Sequence, residues 1–383
     1  MALEKDTLKQ LCTMLNRFVH ERLIPNERVV SDTDTIPSDI LAEIKDLGLF
    51  ALSIPEEYGG LGLTMEEEIE VAMLIGEAAP AFRSIFGTNV GIGSQAIVLD
   101  GTDEQKSKYL PRLASGELIG SFCLTEPEAG SDAGSLRTSA RRNGEHFILN
   151  GTKRFITNAP FAGLFTVMAR TDAGSTDARG VSAFLVEAGT PGVRVGKPEK
   201  KMGQQGAPVA DVVFENCRVH AENIIGHREN MGFKTAMKVL DKGRLHISAV
   251  CAGLARRILR DTVRYAKDRR QFGESIASFQ LIQAMIADSE TEIYAAECMI
   301  RDAAKARDRG EDTKRKASCT KLFASEMVGR VADRAVQIYG GAGYIADYGI
   351  EQLYRDARLF RIYEGTSQIQ QLIIAKDVIA ATD

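Results

Sequence analysis

Arginine 83 is the only charged side chain between Ala78 and Leu99, in the run AAPAFRSIFGTNVGIGSQAIVL. A charge in so apolar a stretch needs a partner, or must reach water past its own methylenes. Farther on, Lys267, Arg269 and Arg270 form a basic cluster suited to the phosphates of a small anionic ligand. Guanidinium fits pyrophosphate through bidentate, charge-assisted hydrogen bonds. The run Gln337-Ile-Tyr-Gly-Gly-Ala-Gly-Tyr344 invites comparison with a dinucleotide fingerprint. It follows a helical pattern rather than a strand, and its glycine spacing is wrong for that reading. The six cysteines contain no C-x-x-C pair and only five histidines accompany them, so neither a disulfide framework nor a zinc site is expected.

These residues must be positioned by more than one domain, because 383 residues exceed the usual single-domain size. Residues 1–119 read as helical: Leu8, Leu11, Leu15 and Phe18 recur at helical spacing, as do Ile40, Leu41, Ile44 and Leu47. Thr64-x-x-Glu67 and Thr102-x-x-Gln105 fit capping boxes. Residues 120–228 change texture, with short β-branched and aromatic runs (HFILNGTKRFIT, LFTVMAR, VSAFLV, VRVG, ADVVF) separated by turn residues. That pattern predicts a small β-barrel or sandwich, with Asn150-Gly151 as a hairpin turn. Residues 229–383 return to helical periodicity. Ile247, Val250, Cys251, Leu254 and Ile258 share one face, Phe279, Ile282, Ile286, Ile293 and Ile300 another, and further helices follow near 314–339 and after Ser367. Long amphipathic helices with short connections predict a four-helix bundle, and an α+β multi-domain chain overall. A net charge of −4 argues against a nucleic-acid footprint, and no apolar run is long enough for a membrane span. The polar start MALEKDTLKQ is unlike a secretory signal, so a bacterial-type cytoplasmic protein is expected, or a matrix protein lacking its transit peptide.

Four segments together resemble the acyl-CoA dehydrogenase family over essentially the whole chain. Cys123-Leu-Thr-Glu-Pro-Glu-Ala-Gly-Ser-Asp-Ala-Gly-Ser135 fills every position of the family's Thr-Glu-Pro-x-x-Gly-Ser-Asp motif. The resemblance implies FAD as cofactor, with Phe122, Leu124, Thr125 and Gly130 along the flavin ring and Ser131 on the CoA portion. Donors at Thr125 would meet negative charge gathering on the pyrimidine edge. Asn150-Gly-Thr-Lys-Arg-Phe-Ile-Thr-Asn158 resembles a second flavin segment, with Phe155, Ile156 and Thr157 in contact. Its aromatic is most often tryptophan in the family, and this chain has none. Asp241-Lys-Gly-Arg244 implies CoA contacts from Asp241 and Arg244. Arg269, Phe272 and Gln280, with Gln337, Gly340 and Gly341, imply a grip on the FAD of a neighbouring subunit, hence a homo-oligomer, in the family a tetramer.

In Arg361-Ile-Tyr-Glu-Gly-Thr-Ser-Gln-Ile-Gln370, Glu364 matches the family's catalytic base; Gly365 would touch substrate, and Thr366 and Gln368 the flavin. Some members place the base at the position of Gly243, which here has no side chain. Phe82-Arg83-Ser84 is similar to the glutaryl-CoA dehydrogenase segment whose arginine holds a distal carboxylate, although Gly87 departs from the serine usual nearby. The implied reaction is α,β-dehydrogenation of an acyl-CoA, on this match a short dicarboxylyl-CoA, with electron-transfer flavoprotein as acceptor. Other outcomes on such a scaffold are an oxidase, decarboxylation or desulfination of succinyl- or glutaryl-like thioesters, and a non-catalytic scaffold.

Overall fold

The computed structural model describes residues 3–382. The helical N-terminal part comprises α1 (Lys5–Phe18), α2 (Glu27–Thr33), α3 (Ser38–Asp46), α4 (Met65–Gly76), α5 (Pro80–Thr88), α6 (Gln95–Asp100) and α7 (Asp103–Ala114). Both capping boxes form: the Thr64 and Thr102 hydroxyls accept from the N–H of Glu67 and Gln105, whose side chains accept in return. The hydrophobic periodicity read for α1 and α3 becomes burial, with Leu15, Phe18, Ile40 and Ile44 in one core with Phe82 and Phe86 of α5.

Seven strands then build one sheet: β1 (Gly120–Cys123), β2 (Ser139–Asn143), β3 (His146–Thr157), β4 (Leu164–Arg170), β5 (Val181–Glu187), β6 (Val193–Val195) and β7 (Val209–His220). Their order is β1-β4-β2-β3-β7-β6, with β5 also on β4; β1 lies parallel to β4, and the long β3–β7 ladder is antiparallel. One expectation fails. Asn150-Gly151 is no hairpin turn but lies inside β3, where the pairing with β7 slips by a residue. Gly151 sits at φ 155°, and a Cβ there would meet Thr138. The true turn is Gly144-Glu145, flanked by the pair Asn143 and His146. Local Asn-Gly preference lost to a twelve-residue strand that pairs with β7 along its length and with β2 over residues 146–150.

The C-terminal part comprises α8 (Gly232–Asp268), a two-stranded hairpin β8 (Arg270–Gln271) and β9 (Glu274–Ser275), α9 (Gln280–Asp308), α10 (Lys314–Tyr339), α11 (Ile350–Ala357) and α12 (Ser367–Ala380). Ile247, Val250, Cys251, Leu254 and Ile258 of α8 pack with Ile293 and Ile300 of α9 and Val328 and Val331 of α10. The short α11 was not read from the sequence, although Ile350, Leu353 and Ala357 make its buried face. The whole is an α+β chain: a helical N-terminal part, a β half-barrel and a helical bundle. No helix among the described residues is long and apolar enough to cross a membrane, and no cluster of His, Cys, Asp and Glu among them could hold a metal ion.

Candidate active site

The sheet, α5, α8 and the segment before α12 converge on a cavity of about 710 Å³. Its sheet side carries Phe122, Leu124, Thr125, Gly130, Ser131, Phe155, Ile156 and Thr157; its helical side carries Arg83, Gly87, Arg244, Tyr363, Glu364 and Gly365. Twelve of the residues expected to meet cofactor or substrate thus line one space. Two hydroxyls, Thr125 and Thr157, stand among apolar walls on the sheet side, which fits a flat aromatic ring with a polar edge.

The loop after β1 is fixed by a buried ion pair that sequence reading missed. Lys153 donates from Nζ to Glu126 Oε1 at 2.7 Å and to the Leu124 carbonyl at 3.2 Å. Glu126 also accepts the N–H groups of Arg137 (2.6 Å) and Thr138 (2.9 Å), while Arg154 N–H reaches the Thr125 carbonyl at 2.8 Å. Burial pulls the Lys153 pKa down, against the attraction of Glu126. A signal existed: Lys153 is in phase with Phe147 and Leu149 on the buried side of β3, where a lysine requires a partner. Phe155 stands at φ 58°, more than half exposed, with the Arg154 guanidinium 4.9 Å from its ring centre.

Across the cavity, Glu364 and Gly365 take successive left-handed conformations, φ 59° and 90°. Such backbone is unfavourable for a glutamate and must be held from outside. Gln370 Nε2 donates to the carbonyls of Glu364 (3.1 Å) and Gly365 (3.2 Å), and Lys321 Nζ to that of Gly365 (2.7 Å). The Glu364 carboxylate lies against Gly243, where a Cβ would come within 2.5 Å of Oε2. The two positions compete for one space, so the missing side chain at 243 is what admits the carboxylate from 364. Glu364 Oε2 is buried without a hydrogen-bond partner. Burial pushes this carboxyl above its ordinary pKa, opposed by Arg83, Arg244 and Lys321. An underbonded carboxylate with a raised pKa is equipped to take a proton.

Arg83 is buried on α5 and donates from Nε to His246 Nε2 at 3.0 Å. Because a guanidinium only donates, His246 must accept there and carry its proton on Nδ1, which faces Glu68 Oε1 at 2.8 Å. Lys242 closes the chain, 3.0 Å from Glu68 Oε2. Burial and the neighbouring Arg83 hold His246 down to about 4, so it stays neutral. No carboxylate of the described residues lies within ion-pair distance of Arg83. Gly87 is again a matter of space, since a Cβ there would fall 2.2 Å from Arg83 Nε. A serine at that position would displace the guanidinium as it stands.

The remaining expected residues lie elsewhere. Asp241 pairs with Arg244 at 2.6 Å, and Thr366 caps α12 by accepting from Ile369 N–H at 3.2 Å. Asp241, Thr366 and the exposed Gln368 are not among the cavity walls. Arg269, Phe272 and Gln280, with Gln337, Gly340 and Gly341, are exposed at the far end of the bundle. There Tyr265 stacks on Tyr339 with ring centres 4.0 Å apart, so the ends of α8 and α10 meet. Gln204, a wall residue not singled out, is tied to Asp356 of α11 through its N–H and its amide, the latter at 3.1 Å to the backbone carbonyl.

Family comparison matches the N-terminal, middle and C-terminal domains of acyl-CoA dehydrogenase to residues 5–117, 121–217 and 230–379. The chain belongs to the acyl-CoA dehydrogenase family. It is therefore an FAD-dependent oxidoreductase acting on the CH–CH bond of acyl-CoA. Among relatives, 3-(aryl)acrylate reductase of Clostridium sporogenes is 42% identical, with 94% of this chain and 96% of that one covered. An acyl-CoA dehydrogenase of Bacillus subtilis is 40% identical (96% and 97%), as is the caffeyl-CoA reductase–Etf complex subunit CarC of Acetobacterium woodii (90% and 91%). Among solved structures, butyryl-CoA dehydrogenase of Megasphaera elsdenii aligns with a TM-score of 0.94 at 33% identity, over 99% of this chain and 100% of that one. The FAD complex of PigA aligns with a TM-score of 0.94 at 27% identity, over 100% and 99%.

Proposed function

We propose that the chain catalyses α,β-dehydrogenation of a short dicarboxylyl-CoA, with Glu364 as base and Arg83 as the anchor of the distal carboxylate. One observation carries this reading: a partnerless carboxylate oxygen and a guanidinium without a carboxylate partner share the wall of one cavity. The α-hydrogen of a thioester is a very weak acid, so the carbonyl must be polarised while a base waits beside it. In this reading the Glu364 backbone N–H, fixed by the pinned turn, donates to the thioester oxygen. Its carboxylate then takes the α-proton, helped by the dryness that raises its pKa. The chemistry that FAD supplies when bound is acceptance of a hydride equivalent from the β-carbon. Phe122, Leu124, Thr125, Gly130, Phe155, Ile156 and Thr157 would hold its ring. Ser131, Arg244 and Gly365 would bind the CoA thioester, with Asp241 supporting Arg244.

The adenosine end would be held by Arg269, Phe272, Gln280, Gln337, Gly340 and Gly341 of a neighbouring copy, which makes the active form a homo-oligomer, a tetramer as is typical of the family. Thr366 and Gln368 would approach the flavin from the start of α12. An electron-transfer flavoprotein is the proposed acceptor, supported by the Etf complex of the relative from Acetobacterium.

A second reading concerns direction and substrate, favoured by the reductase names of two of the relatives. Run in reverse, the same base would deliver a proton to the α-carbon of a neutral acrylyl-type thioester. Arg83→Gln separates the readings. Loss of one partner of a desolvated ion pair costs about 2–5 kcal/mol, so, compared above the acid limb that loss of the Arg83 charge itself moves to higher pH, kcat/KM for glutaryl- or succinyl-CoA should fall ~30-fold or more while butyryl-CoA is spared. Equal, small losses on both would remove the dicarboxylate anchor and favour the neutral acyl group.

A further inference from the structure

Lys321 lies on α10 and is fully buried, with its neighbours Ala317, Ala324 and Val328 in the bundle core. Its ammonium makes one hydrogen bond, 2.7 Å to the Gly365 carbonyl, and no carboxylate among the described residues stands within ion-pair distance. A carbonyl alone does not call for a charge, because an amide could donate the same hydrogen bond without the cost of burying an ammonium. What the ammonium adds is a positive charge beneath the Glu364–Gly365 turn.

We infer that Lys321 is a positioning residue for the base, which both pins the strained turn and keeps the Glu364 carboxylate ionised before substrate arrives. The inference rests on the reading of Glu364 as base. Two consecutive left-handed residues leave the turn free to relax unless its carbonyls are held, and Lys321 and Gln370 share that of Gly365. Relaxation would swing the carboxylate off Gly243 and turn the Glu364 N–H away from the thioester. The charges facing this pair come from every packed element. Arg83 of α5 and Arg244 of α8 approach Glu364, while Cys251 of α8, Glu326 of α10 and Tyr363 of the turn surround the base or the ammonium. Burial raises Cys251 and Tyr363, so both are neutral. Guanidinium groups keep their protons far above neutrality, whereas burial brings Lys321 down to about 8. Lys321 is thus the cation of this set whose charge can change within the working range.

Two variants separate its two parts. Lys321→Gln keeps a donor for the Gly365 carbonyl and removes the charge; Lys321→Met removes both. Loss of a nearby cation raises the pKa of the carboxylate, so the acid limb of kcat/KM should move to higher pH by about one unit in both. Above that limb Lys321→Gln should recover kcat to within about threefold of wild type, since its donor survives, while Lys321→Met should stay ~10-fold or more lower because the turn is loosened. Bound FAD and thermal midpoint are measured alongside. Unmoved acid limbs in both variants overturn the inference, whether turnover is normal or falls in parallel with FAD content and midpoint. Glu364→Gln, run in parallel, distinguishes the failures. If it turns over normally, the base assignment falls and this inference with it. If it is inactive while the Lys321 variants keep the wild-type limb and kcat, only the role of Lys321 falls.

Discussion

Around Gly243 and Arg244, α8 runs among groups held within its own chain: Arg244 meets Asp241, His246 stands between Arg83 and Glu68, and the Glu364 carboxylate lies against Gly243 with one oxygen left unpartnered. Twenty-five residues on from Arg244, at Arg269 just past the end of α8, the order is reversed. Phe272 is 94% exposed, Leu281 81% and Tyr344 86%, large apolar side chains left bare at or near the ends of α8, α9 and α10. The first region is a site complete in its reacting groups. On the proposed function, the second is half of a site that another copy of the chain would complete. The reacting groups and the proposed grip on the adenosine end are then separable by substitution, because they lie along different stretches of the chain around α8.

Gly243→Ala strikes the first region alone. Its Cβ would force the Glu364 carboxylate aside, and the carboxylate can move because it ends a flexible side chain. A displacement of roughly 1 Å from productive geometry costs ~10²-fold, so kcat should fall by that factor with FAD content and assembly unchanged. Wild-type kcat in this variant would show that the crowding at Gly243 does not set the position of the base. Smaller by design is Phe272→Ser at the opposite end. Loss of a central aromatic anchor commonly costs more than 1–2 kcal/mol, so association should weaken ~10–30-fold, with earlier loss of FAD on dilution and unchanged turnover per bound FAD. Sedimentation and flavin absorbance across a dilution series measure this. A variant that keeps its assembly and its flavin would break the contrast between the two regions.

The same contrast governs what could be read from the sequence. The helices were legible because Leu15, Phe18, Ile247, Val250 and Leu254 repeat at helical spacing, and burial follows that pattern. That Glu364 and the segments around Thr125 and Thr157 share one cavity follows short contiguous motifs in the sequence. The supports were not legible: Lys153 with Glu126, His246 with Glu68, and Lys321 with Gly365 pair residues 27, 178 and 44 positions apart. A single charge on an apolar face announces that a partner exists but not which one. Asn150-Gly151 misled in the opposite way, since a strong local turn preference was overridden by the ladder between β3 and β7.

Glu364 is tested most directly by anaerobic mixing of acyl-CoA with wild-type and Glu364→Gln flavoprotein, followed at the visible flavin band. The amide is nearly isosteric but cannot accept the α-proton. The variant should bind ligand, seen as a shift of the band, while bleaching slows by at least ~10²–10⁴-fold relative to wild type. Bleaching of Glu364→Gln at close to the wild-type rate would show that another group removes the proton.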